Sequence, residues 1–95
     1  MAEVEIGTER ESASQWAYDV RVQDDSGGRH EYAVTLGFSD YDLWSRGRVA
    51  PSRVVEEAFW FLLEREPAGA ILSRFDCSVI RRYFPEVDQE LPKRL

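Results

Sequence analysis

The stretch Pro51-Ser52-Arg53-Val54-Val55-Glu56-Glu57-Ala58-Phe59-Trp60-Phe61-Leu62-Leu63-Glu64-Arg65-Glu66 is the most strongly patterned part of the chain. At roughly 100° per residue, Val54, Val55, Ala58, Phe59, Phe61, Leu62 and Leu63 fall in one broad sector, the signature of an amphipathic helix. Burying side chains of this size stabilises by roughly 1.5–3 kcal/mol each, so this helix is expected to supply much of the core. Pro51 suits a first helical position, where its missing N–H goes unneeded. That makes Ala50 the N-cap, a poor one, with Ser52 as the alternative. Glu56, Glu57 and Glu64 occupy the opposite side, and Trp60 lies among them. A Trp on the carboxylate side marks Trp60, with Glu56 and Glu64, as the candidate partner contact, because Trp is enriched at binding hot spots. Cover by the chain's own N-terminal segment is the competing reading.

Working back from the helix, residues 15–38 carry the β signal. Trp16, Tyr18, Val20 and Val22 alternate with polar or small residues. After Asp24-Asp25-Ser26-Gly27-Gly28 the alternation resumes at His30, Tyr32, Val34, Leu36 and Phe38. Period two on both sides of a Gly-rich turn predicts a hairpin with one buried face. Ser39 is read as the cap of a short helix ended by Gly47, with Leu43 and Trp44 inward. Residues 1–14 are read as a polar segment outside the single domain 15–95. Val4 and Ile6 there leave open a third edge strand or a frayed tail. Beyond the long helix, residues 70–75 read as a helical turn. Asp76 reads as the cap of a helix from Cys77 to Phe84, with Arg81 and Arg82 on its solvated face. Pro92 reads as the stop of a last turn. The expected fold is α+β: an antiparallel hairpin covered on one face by the long helix and short C-terminal helices.

Composition bounds the function. Ninety-five residues allow one domain. The formal net charge of −6, half of it in the first twelve residues, argues against non-specific nucleic-acid binding. Arg46, Arg48 and Arg53 are the densest basic group and the candidate nucleic-acid contact. Cys77 is the single cysteine, which excludes an intramolecular disulfide and fits a reducing cytoplasm. No apolar run approaches the ~20 residues that span a bilayer. No basic region followed by an apolar run opens the chain, so no signal peptide is expected. His30, the single histidine, has no nucleophile or second ligand at a recognisable spacing, and no zinc pattern is present. Asp24 and Asp25 lack the calcium-loop spacing, and Gly27-Gly28 lacks the residues of a phosphate loop. Cys77 at a helix start is the one thiol a helix terminus would activate. The expectation is a protein without catalytic, cofactor or metal site.

Phe61-Leu62-Leu63-Glu64-Arg65-Glu66-Pro67, then Ile71-Leu72, Phe75-Asp76, Val79-Ile80 and Tyr83-Phe84-Pro85-Glu86, resembles the tail of a group of small uncharacterised bacterial proteins. In those, a hairpin precedes a helix and the same tail. The resemblance covers roughly the C-terminal two-thirds and implies a soluble bacterial protein, without an activity. The chain departs from the group at Ala50, where a capping Ser or Thr is usual, and at Pro92, where a helix would continue. Tyr32-Ala33-Val34-Thr35-Leu36 leading into a helix is also similar to antitoxins with a hairpin before a helix pair, and to ribbon-helix-helix proteins. The leading expectation is a non-enzymatic regulatory or adaptor module with a protein partner or a second copy of itself. A small antitoxin-like DNA-binding regulator is the alternative, and an enzyme of unrecognised type comes third.

Overall fold

A computed structural model describes residues 1–95. The fold is α+β, built on a four-stranded sheet in the order β1-β2-β3-β4. Strands β1 (Glu3–Glu11), β2 (Gln15–Gln23) and β3 (Arg29–Gly37) form an antiparallel meander. Strand β4 (Arg74–Asp76) runs parallel to β3. Helices α1 (Phe38–Ser45) and α2 (Pro51–Leu63) carry the chain between β3 and β4, and α3 (Ile80–Tyr83) and α4 (Val87–Glu90) follow.

The alternation in β2 and β3 is realised as read. Tyr18, Val20, Val22, Tyr32, Val34 and Leu36 are buried, and Trp16 is half-buried. Register pairs Trp16 with Leu36, Tyr18 with Val34 and Val20 with Tyr32, so one face of both strands is apolar. The turn between them is fixed by Asp24. Its Oδ1 accepts from the backbone N–H of Ser26 at 3.0 Å and of Gly28 at 2.7 Å, while Gly27 takes a φ of 87°. Helix α2 starts at Pro51 with Ala50 as an extended N-cap that makes no side-chain bond. Its Val54, Val55, Ala58, Phe59, Phe61 and Leu62 are buried against the sheet's apolar face, in a single core cluster.

The sheet is larger than the expected hairpin, and mixed. Residues 3–11 form a full strand rather than a frayed tail. Their alternation was hard to read because the strand bulges. Ile6 pairs with Val20 but Glu9 with Tyr18, so Gly7 and Thr8 together oppose Asp19. The bulge changes the phase of the strand. Val4 and Ile6 pack on the core before it, and after it Glu9 and Glu11 come opposite Tyr18 and Trp16. There the carboxylates accept from the aromatic tips: Tyr18 Oη donates to Glu9 at 2.5 Å and Trp16 Nε1 to Glu11 at 3.2 Å. Burial, then the Glu9 bond, pushes the Tyr18 hydroxyl far above its ordinary pKa. Glycine suits position 7, where a Cβ would stand a tight 3.0 Å from the Asp19 carbonyl oxygen and the backbone would have to give by a few tenths of an ångström.

Residues 70–75 are not a helical turn. A single 3-10 turn covers Ala68–Ala70, and the chain then extends into β4, with the Ala33 N–H donating to the Ser73 carbonyl at 2.8 Å. Thr35 Oγ1 donates to Asp76 Oδ1 at 2.5 Å, while Asp76 Oδ2 caps the next turn through the Ser78 N–H at 3.0 Å. The capping role read for Asp76 is therefore present, shared with a strand-pairing one. Helix α1 begins at Phe38, one residue before the expected cap, and Ser39 makes no capping bond. Trp44 points inward but Leu43, a step of about 100° round the helix, is half exposed, because the inner face falls on Trp44 and Ser45. The turn read through Glu90 does end there, as α4, but the chain goes on helically past Pro92. Pro92 sits in the first turn of a 3-10 segment, Leu91–Arg94, where its missing N–H costs nothing.

Arg81 is not on a solvated face. Its guanidinium bridges Asp40 of α1 at 2.8 Å and Asp88 of α4 at 3.1 Å, above the Trp44 ring. Arg65 does the same at the end of α2. It lies 3.6 Å from the centroid of Phe61 and pairs with Glu86 at 3.1 Å and Glu90 at 2.9 Å. These two arginines latch the C-terminal segment onto α1 and α2.

Candidate functional site

The residues singled out from sequence are scattered. Glu64 is held by the chain's own Arg94, at 2.8 Å between Glu64 Oε2 and Arg94 Nη1. Glu56 is half-buried and lines a depression between α2 and β1 with Val4, Ile6, Ser52 and Arg53. Trp60, one turn further along the helix, is half-buried as well. These three therefore do not form a free patch: one carboxylate is paired internally and another faces the edge strand.

The arginines fare similarly. Arg53 pairs with Glu57 one turn on, at 3.1 Å. Arg48 folds back on α1, with Nε donating to the Ser45 carbonyl at 3.1 Å, which closes the helix end. Arg46 is exposed in the left-handed conformation, φ 52°, just past that helix. The three do not converge on a common surface through any shared partner.

His30 Nε2 lies 2.9 Å from Asp24 Oδ2, so the histidine completes the turn that Asp24 organises. Cys77 is fully buried. Burial, and then the carboxylates of Asp76 and Asp40, push its thiol well above the ordinary value. The terminus effect that would activate it is outweighed by desolvation. No group of three or more His, Cys, Asp or Glu side chains is placed to hold a metal ion.

A concave, largely apolar surface lies elsewhere, between the end of α2 and the C-terminal segment. It encloses about 140 Å³ and is lined by Leu62, Ala70, Ile71, Leu72, Phe75, Val79, Ile80, Tyr83, Phe84 and a single charged residue, Glu66. The floor is core: Leu62, Ile71 and Ile80 are buried. The rim is not, since Leu72 is 51% and Tyr83 66% exposed. Topology makes this groove. When β4 joins β3, Ile71 turns into the core and its neighbour Leu72 is left outside. Tyr83 then ends α3 above it, with Phe84 packed against Phe61 at 6.2 Å between ring centroids. Glu66 makes no ion pair, and burial raises its carboxyl above the ordinary range. From the sequence Leu72 falls in a helical turn and Tyr83 in a helix from Cys77 to Phe84, and nothing singles out Glu66. The available signal was the adjacent pair Ile71-Leu72, since a single extended residue step sends only one of two neighbours inward.

Elsewhere the carboxylates are tied down, with a consequence for acid stability. The His30, Ser26 and Gly28 donors hold Asp24 below the ordinary carboxylate range, Arg94 does so for Glu64, and Arg81 with Trp44 for Asp88. A depressed folded-state pKa contributes stability that is present above the unfolded value, about 4, and lost as pH falls below it. The urea midpoint is expected to hold between pH 7 and 5 and to fall steadily from pH 4 to 3. A midpoint unchanged at pH 3 would show that these bonds contribute nothing to folding.

No family model, curated protein or solved structure matches this chain. No helix is long and apolar enough to cross a membrane.

Proposed function

We propose that the protein is a non-enzymatic interaction module, a regulatory or adaptor protein of bacterial type acting in the cytoplasm, and that it binds a protein partner through the groove around Leu72 and Tyr83. The single observation that carries this reading is the groove itself: two large apolar side chains held half or more in solvent at the rim of an apolar concavity. At about 140 Å³ it has room for one side chain, the size of a hot-spot anchor. The bacterial assignment rests on the resemblance of the tail, and the cytoplasmic one on the lone buried thiol.

A second copy joined through the open edge of β1 is less favoured. Two such strands paired antiparallel about Gly7 would set Glu5 against Glu9 and Glu3 against Glu11, and like charges directly opposite destabilise a ladder. The charged edge protects the sheet from its own kind.

The test is selection of displayed peptides on the intact protein, followed by affinity measurement against Leu72→Asp. Leu72 is exposed enough that this change is expected to leave the unfolding free energy within about 0.5 kcal/mol of the parent's. Affinity is expected to fall at least tenfold, the effect of losing about 1.4 kcal/mol of apolar burial. Peptides that bind the variant as well as the parent would sink the groove reading. Salt-dependent retention on duplex DNA, untouched by Leu72→Asp, would favour the antitoxin-like regulator instead.

A further inference from the structure

We propose that the groove selects a protein segment presenting an apolar side chain with a lysine or arginine immediately beside it. This rests on the groove being the partner surface, and it names what that partner must carry. The observation is Glu66, the one charged side chain among the ten residues that line the groove.

The carboxylates nearest to it are differently placed. Glu64 is taken by Arg94, while Glu86 and Glu90 are taken by Arg65. Arg65, next to Glu66 in sequence, is turned away toward those two carboxylates and the Phe61 ring. Glu66 is half-buried against apolar surface and has no cation of its own. A carboxylate partly stripped of water without a counter-charge is unfavourable, and an incoming ammonium or guanidinium relieves that cost. Seating an apolar side chain in the groove would dehydrate Glu66 further, so a neutral ligand is penalised and a cationic one rewarded. The net charge of −6 acts in the same direction at long range, drawing cationic partners toward the surface.

Arg82, beside Tyr83, is exposed but is not among the lining residues. A second copy of this chain would bring its own Tyr83 and Arg82 as an apolar side chain next to a cation, so self-association is an outcome the experiment must separate.

The probes are a blocked tetrapeptide of alanine, phenylalanine, lysine and alanine, and the same peptide with its lysine side chain acetylated. Both are titrated to millimolar concentration into the full chain, with shifts read at Leu72, Phe75 and Tyr83. The lysine peptide is expected to bind about fivefold more tightly than the acetylated one, as for a partly exposed ion pair. That preference is expected to vanish in Glu66→Gln, whose fold is checked by its unchanged spectrum away from the groove. Equal binding of the two peptides, or a preference that survives Glu66→Gln, would overturn the charge inference while leaving the groove reading in place. No shift at the groove with either peptide would overturn both. A dimeric mass in solution that Leu72→Asp converts to a monomer would assign the groove to a second copy and so overturn the proposal of a separate partner segment.

Discussion

Trp44→Ala is expected to destabilise the protein by about 3–5 kcal/mol, the usual range for truncating a buried aromatic. Trp44 is fully buried, and its indole N–H donates to Asp88 Oδ1 at 2.8 Å. Asp88 is in turn bound by Arg81, which also holds Asp40. One side chain thus supports α1 from inside and holds Asp88, the acceptor through which Arg81 of α3 is tied to α4. Small domains have only about 5–15 kcal/mol in total, so the variant should be largely unfolded near 50 °C. Trp44→Phe separates the two contributions. It keeps most of the packing and loses the N–H donor, and a loss of about 1–2 kcal/mol is expected. Urea unfolding of both variants provides the measurement. A loss below about 1 kcal/mol for Trp44→Ala would mean that α1 is not packed as described.

Phe61→Ala is expected to cost a similar amount, about 3–5 kcal/mol, with a different pattern of failure. Phe61 is fully buried, with Phe84 against its edge and the guanidinium of Arg65 over its face. Arg65 positions Glu86 and Glu90, so removing the ring takes away the platform on which the C-terminal latch is built. Local opening of residues 85–95 should therefore precede global unfolding. Limited trypsin digestion under native conditions is expected to cleave at Lys93 or Arg94 well before any site in β2 or β3. Phe61→Leu should cost less and keep the tail protected. Cleavage spread evenly along the Phe61→Ala chain would show that the latch does not open on its own.

Most of the scaffold was legible in the sequence, and little of the candidate site was. Val54 to Leu62 announce a helix and its buried face because both follow from a 3.6-residue period within thirteen residues. Tyr18 to Leu36 announce two paired strands because Asp24 to Gly28 fold back within five residues and fix the register. Ala50 and Pro51 mark the start of the helix to the residue. The contacts chosen from helix angle alone meet other parts of the chain. Trp60, Glu56 and Glu64 share one side of an isolated helix, but that side meets β1 at Glu56 and the C-terminal Arg94 at Glu64.

What the sequence by itself determined was local: the central helix, the hairpin face, the Gly-rich turn of residues 24–28 and the cap made by Asp76. Each depends on interactions among residues close in sequence, whose periods and turn chemistry appear in the residue order. The tertiary structure alone decided the rest. The phase of β1 depends on a bulge against Asp19, and β4 exists because the edge of β3 offers backbone partners to residues forty positions away. Arg81 leaves its expected solvated face because Asp40 and Asp88 are brought to it from separate helices. The groove arises from the same cause. Leu72, Tyr83 and Glu66 carry no periodic signal that joins them, and they share a surface only once β4 has docked and the latch has closed.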